Sequence, residues 1–173
     1  MSRGSLALAC RAMDETPQQT DPPGAGAAGV PPRSTDGGKS GGPRSLDGIT
    51  SFIGMRWENA ETVRLTIRPE LINRGGLLSG VVTYALVDYC MGSTLWAQTS
   101  ENERIATISI SINYIATATE GEVVCRTELD RRNRSIGILK STVEAEDGRL
   151  LCTAIGSYSI RIPPELRGPT TSG

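Results

Sequence analysis

One carboxylate stands alone in the middle of the chain. Between Arg74 and Glu101 lie 26 residues, and Asp88 is the only Asp, Glu, Lys or Arg among them. Its neighbours are mostly apolar and surround nearly every side of the helix predicted over 79–98. A carboxylate in such a place is a candidate proton acceptor, because isolated buried acids are enriched at active sites. A structural Asp that bonds a nearby backbone group explains the pattern equally well.

Composition narrows the chemistry that Asp88 can join. The 173 residues include no His, which excludes Ser-His-Asp and Cys-His nucleophiles, His metal sites and His acid–base pairs. Lys and Arg total 18 against 19 Asp and Glu, so charge gives no reason to expect nucleic acid or a membrane surface as partner. The four cysteines are far apart and have no CxxC spacing, which predicts small buried residues in a reducing compartment and therefore a cytoplasmic protein.

The first 47 residues differ in composition from the rest. They hold six of the ten prolines, several glycine runs and no aromatic residue, which predicts a disordered Gly/Pro-rich tail over 1–47. Their apolar run at 6–10 is shorter than the ~7–15 residues of a secretory signal. A single folded domain is predicted over 48–164, followed by a frayed C-terminus over 165–173.

The order of elements predicts an α+β fold. Two short strands are expected at 51–56 and 61–68, joined by a turn at 58–60, followed by the helix over 79–98. Four strands follow at 105–115, 122–133, 135–146 and 149–161. In the first of these four, Ile108, Ile110, Ile112 and Tyr114 alternate with Thr107 and other polar residues. We therefore expect an antiparallel sheet wrapped around one long central helix.

The central helix is long enough to span a membrane, so that alternative must be weighed. Asp88 at the centre of a membrane-spanning helix costs about 2.5–3.5 kcal/mol on an insertion scale. Four Ser and Thr residues further lower the hydropathy of the segment. The helix is therefore predicted to be the buried core of a domain.

The segment that precedes Asp88 resembles the active-site segment of a known enzyme family. Residues 73–80 read Asn-Arg-Gly-Gly-Leu-Leu-Ser-Gly, and Asp88 follows eight residues later. This resembles the hotdog-fold acyl-CoA thioesterases of the phenylacetate-degradation (PaaI-like) type, which read Asn-x-x-Gly-x-x-His-Gly-Gly and then Asp, nine residues after the His. The matching positions are Asn73, Gly76, Gly80 and Asp88. The chain departs from the pattern at Ser79, where the His stands, and at Val81, where the second Gly stands.

The resemblance covers roughly residues 50–162 and implies the hotdog fold and hydrolysis of an acyl- or aryl-CoA to free acid and CoA. It implies that Asp88 is a general base or nucleophile and that the Gly80 N–H polarises the thioester carbonyl. It also implies that Asn73 helps to hold the acyl end or water, and that Thr107 orients the attacking water. No metal or redox cofactor is implied.

The resemblance further implies a set of substrate-binding residues. Ser79 and Gly137 belong to this set, together with Arg131, Arg132 and Arg134 around the turn after the strand at 122–133. Arginine side chains suit the phosphates of coenzyme A, although a cluster in an exposed turn is often only a solvated run of charge.

Helix geometry adds a prediction about assembly. Gly80 and Asp88 are eight residues apart, which is about 12 Å along a helix that rises ~1.5 Å per residue. If both act on one carbonyl, they must come from two subunits, which predicts a homodimer or homotetramer with its sites at a dimer interface. The alternative is a degenerate hotdog domain that binds acyl-CoA or serves as an assembly subunit without catalysis. Ser79 in place of the family His favours that alternative, whereas Asn73, Gly80 and Asp88 together favour the enzyme.

Overall fold

A computed structural model describes residues 48–166. Its elements are α1 (Gly48–Ile53), β1 (Met55–Asn59), β2 (Thr62–Thr66), a 3-10 turn (Pro69–Leu71), α2 (Gly80–Ala97), β3 (Arg104–Tyr114), β4 (Glu122–Arg132), β5 (Ile136–Ala145), β6 (Leu150–Arg161) and a second 3-10 turn (Pro164–Leu166). The tail predicted over 1–47, and all but the first two residues of the C-terminus predicted to fray, lie outside the described residues.

The six strands form one antiparallel sheet in the order β1-β2-β4-β5-β6-β3, and α2 packs on one face of it. This confirms the predicted α+β architecture of an antiparallel sheet around one long helix. The helix and the last four strands begin and end within one residue of the predicted bounds. None of the helices within residues 48–166 is long and apolar enough to cross a membrane.

The first predicted strand, 51–56, is wrong over most of its length. Residues 48–53 form the short helix α1, and β1 begins only at Met55. Gly54 separates the two: its φ of 81° ends the helix, and its N–H donates to the Thr50 carbonyl at 2.9 Å. A short apolar run has no clear period, so the glycine, rather than the hydrophobic pattern, decides where the strand starts.

Helix α2 lies directly on the sheet because two glycines leave room for it. A Cβ atom at Gly137 on β5 would lie 2.9 Å from Leu95 Cδ1, and one at Gly156 on β6 would lie 2.6 Å from Met91 Sδ. The helix side chains that fill this interface are fully buried: Leu86, Val87, Cys90, Met91 and Leu95. The core of the domain is therefore the layer between α2 and the inner face of the sheet.

A bulge in β3 changes the predicted alternation of that strand. Thr107 pairs with Tyr158 of β6, but Ser109 pairs with Ser157, so Ile108 is the extra residue. Ile108 is 56% exposed, whereas Ile110 packs against the core. The prediction that Ile108 shares a face with Ile110 is therefore wrong, because the bulge reverses the alternation. As a result, Thr107 faces α2.

Candidate active site

The loop that leads into α2 is shaped by Asn73. Its Oδ1 accepts the N–H groups of Gly75 at 2.8 Å and Leu77 at 3.3 Å, and its own backbone N–H donates to the Leu77 carbonyl at 2.8 Å. Gly76 sits at a φ of 76°, which favours glycine, and donates to the Asn73 carbonyl at 3.0 Å. Both oxygens of Asn73, the side-chain Oδ1 and the backbone carbonyl oxygen, therefore accept hydrogen bonds within the turn. The exposed side-chain NH₂ group of Asn73 has no acceptor within residues 48–166.

The N-terminus of α2 presents backbone donors without acceptors. Thr83 is the first helical residue whose N–H bonds back, to the Ser79 carbonyl at 3.1 Å. Within the described part of the chain, the N–H groups of Gly80, Val81 and Val82 have no acceptor, and the Ser79 side chain does not cap the helix. Free donors at the positive end of the helix dipole suit an anion or a polarised carbonyl oxygen.

These donors border an uncharged cleft of about 490 Å³. It is lined by Ser79, Gly80, Val81, Tyr84 and Tyr114. The Tyr114 hydroxyl donates to the Gly80 carbonyl at 2.8 Å, and partial burial raises the pKa of that hydroxyl. The cleft can therefore take an uncharged group whose oxygen points at the helix N-terminus.

Asp88 lies two turns further along α2 and is half-buried, and only one of its two carboxylate oxygens accepts hydrogen bonds within residues 48–166. Asp88 Oδ1 accepts hydrogen bonds from the Thr107 hydroxyl at 2.9 Å and the Tyr158 hydroxyl at 2.6 Å. Asp88 Oδ2 has no donor within residues 48–166. Since every buried side-chain oxygen and nitrogen in that region has a partner, Oδ2 is open to solvent. The carboxylate therefore presents one fixed oxygen and one free oxygen.

Tyr158 is the site residue that the sequence analysis missed. Its ring is 2% exposed, and its strand pairs it with Thr107. Burial, followed by the neighbouring Asp88 carboxylate, raises the pKa of the Tyr158 hydroxyl, which therefore stays protonated and donates. The sequence did carry a signal: alternation in the last strand points Tyr158 inward, and a buried tyrosine hydroxyl needs a partner.

Asp88 and Gly80 do not meet within one chain. Both belong to a single helix that runs from Gly80 to Ala97 without interruption. Eight residues of helix separate them by about 12 Å along the axis, as the sequence analysis assumed. The sharing of one site by two subunits stays a prediction.

The structure separates the three arginines that were predicted to act together. Arg132 Nη2 lies 2.7 Å from Glu103 Oε2, so its charge is already matched. Arg131 is opposite Ile138 in the sheet, whereas the next residue, Arg132, is opposite Gly137 on the helix-facing side. Arg131 therefore points to the outer face of the sheet, away from α2.

Arg134 lines a second cleft, of about 500 Å³, beyond the C-terminal end of α2. The lining residues are Glu103, Arg134, Ser135, Ile160, Arg161 and Ile162. Neither Arg134 nor Arg161 has an ion-pair partner within residues 48–166. Glu103 accepts the Ser100 N–H at 2.8 Å, and this bond together with Arg132 lowers its carboxyl pKa. Arg161 was not among the predicted residues, because it stands far from the arginine turn in the sequence.

Gly137, predicted to bind substrate, is buried under Leu95 and has a clear packing role. A direct contact between Gly137 and substrate stays a prediction. The cysteines Cys90, Cys125 and Cys152 are free and buried, as expected for small core residues. No group of three or more His, Cys, Asp or Glu in the described region is arranged to hold a metal ion.

Comparison of the sequence with known families gives a match over part of the chain. The sequence profile of the Thioesterase superfamily matches residues 75–152, from the loop before α2 into β6. No curated protein matches the chain in sequence.

Several solved structures share the fold at low identity. One is the conserved protein PA5202 of Pseudomonas aeruginosa, with 23% identity and a TM-score of 0.62 over 67% of this chain and 95% of that one. The BH2602 protein of Bacillus halodurans, solved with CoA, has 19% identity and a TM-score of 0.65 over 68% of this chain and 78% of that one. The thioesterase HI1161 of Haemophilus influenzae has 17% identity and a TM-score of 0.65 over 70% and 88%. The predicted hotdog fold is confirmed, and residues 75–152 carry the sequence pattern of the Thioesterase superfamily.

Proposed function

We propose that the protein is an acyl-CoA thioesterase that converts an acyl- or aryl-CoA and water into the free acid and CoA. The observation that carries this proposal is the Asp88 carboxylate, whose Oδ1 is fixed by two hydroxyls while Oδ2 is open. The match of residues 75–152 to the Thioesterase superfamily supports thioester hydrolysis in general. The PaaI-like subgroup and a cytoplasmic location remain part of the proposal.

The reaction needs a polarised carbonyl and an activated oxygen. The Gly80 N–H, at the positive end of α2, would bind the thioester oxygen and stabilise the oxyanion. In one route, Asp88 Oδ2 takes a proton from water as the water oxygen attacks the carbonyl carbon. The tetrahedral intermediate then collapses, and the leaving thiolate receives that proton. In the other route Oδ2 attacks the carbonyl carbon itself, and the C–S bond breaks to release the CoA thiolate. Water then hydrolyses the resulting anhydride to the free acid and the Asp88 carboxylate, and the thiolate takes up the proton released from water. Neither route requires a metal or a redox cofactor.

We propose that each site combines two copies of the chain, with Gly80 from one and Asp88 from the other. Val81 and Tyr84 form an exposed apolar strip on the same side of α2 as Asp88, at spacings of three and four residues. Strand β3 has 11 residues, contains no proline, and pairs within the described region only with β6. An exposed strip and an open strand edge favour a second copy as partner, in a homodimer or homotetramer.

The second cleft provides a place for the phosphates of CoA. Its two unpaired arginines, Arg134 and Arg161, suit bidentate binding of phosphate oxygens. Along β6, Arg161 follows Tyr158 by three residues, so the Cα atoms of these two residues are about 10 Å apart. A CoA ligand bound to the related BH2602 structure supports CoA as the ligand class. We assign Arg134 and Arg161 to the phosphates, and Ser79 to the acyl side.

The proposal is tested by measuring free-thiol release from a panel of acyl- and aryl-CoAs with the wild type and with Asp88→Asn. Hydrolysis of at least one member by the wild type, lost in the variant, is the expected result. A wild type that releases no thiol from any member, or a variant as active as the wild type, contradicts it.

A second candidate function is a degenerate hotdog domain that binds acyl-CoA or acts as an assembly subunit. The residue that favours it is Ser79, where the family has a catalytic-loop histidine. The two functions separate in one pair of measurements. A binder retains CoA in equilibrium dialysis yet leaves every thioester intact, whereas the enzyme consumes the ligand.

A further inference from the structure

Resting on the proposed function, we infer that Tyr158 is a positioning residue that holds the Asp88 carboxylate so that only Oδ2 faces the thioester. The Tyr158 hydroxyl lies 2.6 Å from Asp88 Oδ1 and 3.1 Å from the Asp88 backbone carbonyl oxygen. A hydroxyl has one proton, and the shorter contact to the charged oxygen takes it. Since Thr107 donates to the same Oδ1, the two donors fix one oxygen and leave the other free.

The two donors differ in how firmly the fold holds them. Thr107 lies on β3, an edge strand of the sheet, beside a bulge, and is exposed. Tyr158 lies on β6, which is paired on both sides, to Thr107 and to Gly137. Tyr158 is 2% exposed and its ring packs beside Gly156, so the side chain is enclosed by the core. Tyr158 therefore provides the fixed reference for the carboxylate, and Thr107 adds a second bond.

Position matters here because the free oxygen must reach a carbonyl bound at another subunit's helix. A displacement of about 1 Å at a reacting group can lower a rate ~10²-fold. Without the Tyr158 hydroxyl, the carboxylate can rotate about χ2 and direct either oxygen, or neither, toward the substrate. Substrate binding itself involves no contact with the buried hydroxyl, so the loss should fall on kcat rather than on KM.

The competing explanation is that the bond to Asp88 only gives the buried Tyr158 hydroxyl the hydrogen-bond partner that it needs in the core. A buried hydroxyl elsewhere in the same layer provides the matched control. Thr127 and Ser141 share a 2.6 Å hydrogen bond on the helix-facing side of β4 and β5, and neither touches Asp88. Ser141→Ala removes a buried hydroxyl bond of the same length and should lower stability without changing kcat.

The test is a double-mutant cycle on thiol release with Tyr158→Phe, Asp88→Asn and the double variant, beside Ser141→Ala. We expect Tyr158→Phe to lower kcat ~10- to 100-fold with KM within about twofold, and to have no further effect in the Asp88→Asn background. Equal kcat for Tyr158→Phe and wild type, or effects that multiply in the double variant, would overturn the inference. A loss of kcat that the folded fraction of Tyr158→Phe accounts for would overturn it as well.

The same experiment separates this inference from the function on which it rests. If the wild type releases no thiol, the proposed function fails and Tyr158 has no reaction to position. If the wild type is active, Asp88→Asn is inactive and Tyr158→Phe matches the wild type, the function stands and the inference alone is wrong.

Discussion

The two clefts at opposite ends of α2 differ in the kind of ligand group that each can bind. The first is lined by tyrosines, a valine and free backbone N–H groups, and it contains no charged side chain. The second contains two arginines without carboxylate partners in the described region, beside a Glu103–Arg132 pair. An acyl-CoA has this same division, with a neutral reactive carbonyl at one end and phosphates at the other. The comparison suggests that one end of the helix serves chemistry and the other serves affinity.

The largest effect should come from Asp88, the carboxylate proposed to act on a carbonyl bound in the first cleft of a second copy. Asp88→Asn keeps the size of the side chain and its capacity to accept the Thr107 and Tyr158 hydroxyls, but it removes the charge and the basic oxygen. We expect kcat to fall at least ~10²-fold, the lower end of general-base contributions, while the protein stays folded. Thiol-release kinetics and a thermal melt test this. If activity falls only in proportion to stability, Asp88 is structural and the division between the two ends is wrong.

A smaller effect on a different parameter should come from the charged end. Arg134→Ala and Arg161→Ala should each raise KM about 10-fold with kcat little changed, because phosphate contacts bind ground and transition states about equally. The increase should shrink at high salt, which already screens exposed charges in the wild type.

The control for the charged end is Arg126→Ala. Arg126 is an exposed arginine on β4 whose partner is Glu144 at 2.9 Å, and its strand position lies on the outer face of the sheet. Its replacement should leave both KM and kcat as they are. If Arg126→Ala raises KM as much as Arg134→Ala does, general surface charge binds the ligand and the second cleft has no special part.

Ser79→His tests whether the uncharged end has lost a catalytic group. The substitution places beside the Gly80 N–H the histidine that the PaaI-like pattern has at this position. The Ser79 hydroxyl caps no helix donor, so its loss should cost little stability. In a slow enzyme we expect turnover to be preserved or raised by a few-fold, within the ~10²-fold that a positioned acid–base group can add. In a degenerate binder the same change should create no turnover, which thiol release detects directly.

The sequence could predict the features that depend on neighbouring residues, and it could not predict those that depend on contacts between residues far apart in the chain. The last four strands were predictable because their alternation is local and their turns are marked by Gly, Asn and Asp. The long helix was predictable because its apolar run is too long for a strand. The start of β1 was not, because Gly54 ended a helix that the apolar run did not indicate. In the site, Asp88 stood out by its isolation, whereas Tyr158 required the register between β3 and β6. A bulge at Ile108 sets that register, and no local pattern shows it.

The arginine cluster shows the same limit at the second cleft. Three arginines close in sequence suggested one binding surface. Strand alternation places Arg131 on the outer face of the sheet. Arg132 forms an ion pair with Glu103, which lies almost thirty residues earlier in the sequence. Arg161 joins Arg134 only because β6 ends beside the β4–β5 turn. Which charges are free is a property of tertiary contacts, so the sequence could indicate a basic region but not its members.

The smallest effect should come from breaking the pair that keeps Arg132 out of the second cleft. Glu103→Gln removes the carboxylate that holds Arg132, which should lower KM for acyl-CoA by about twofold if the freed guanidinium reaches the phosphates.

The same variant should also change how stability depends on pH. The Ser100 N–H and Arg132 lower the pKa of the Glu103 carboxyl from 4.5. The ionised Glu103 carboxylate therefore stabilises the fold fully above pH 4.5, and this stabilisation is lost as the pH falls through the lowered pKa. The wild type should therefore be more stable than Glu103→Gln at pH 7, by less than about 1 kcal/mol, and the difference should vanish once the pH is below the lowered Glu103 pKa. Thermal melts across that range test this, and a difference that persists in acid would show that the Glu103 side chain stabilises the loop by packing instead of by its charge.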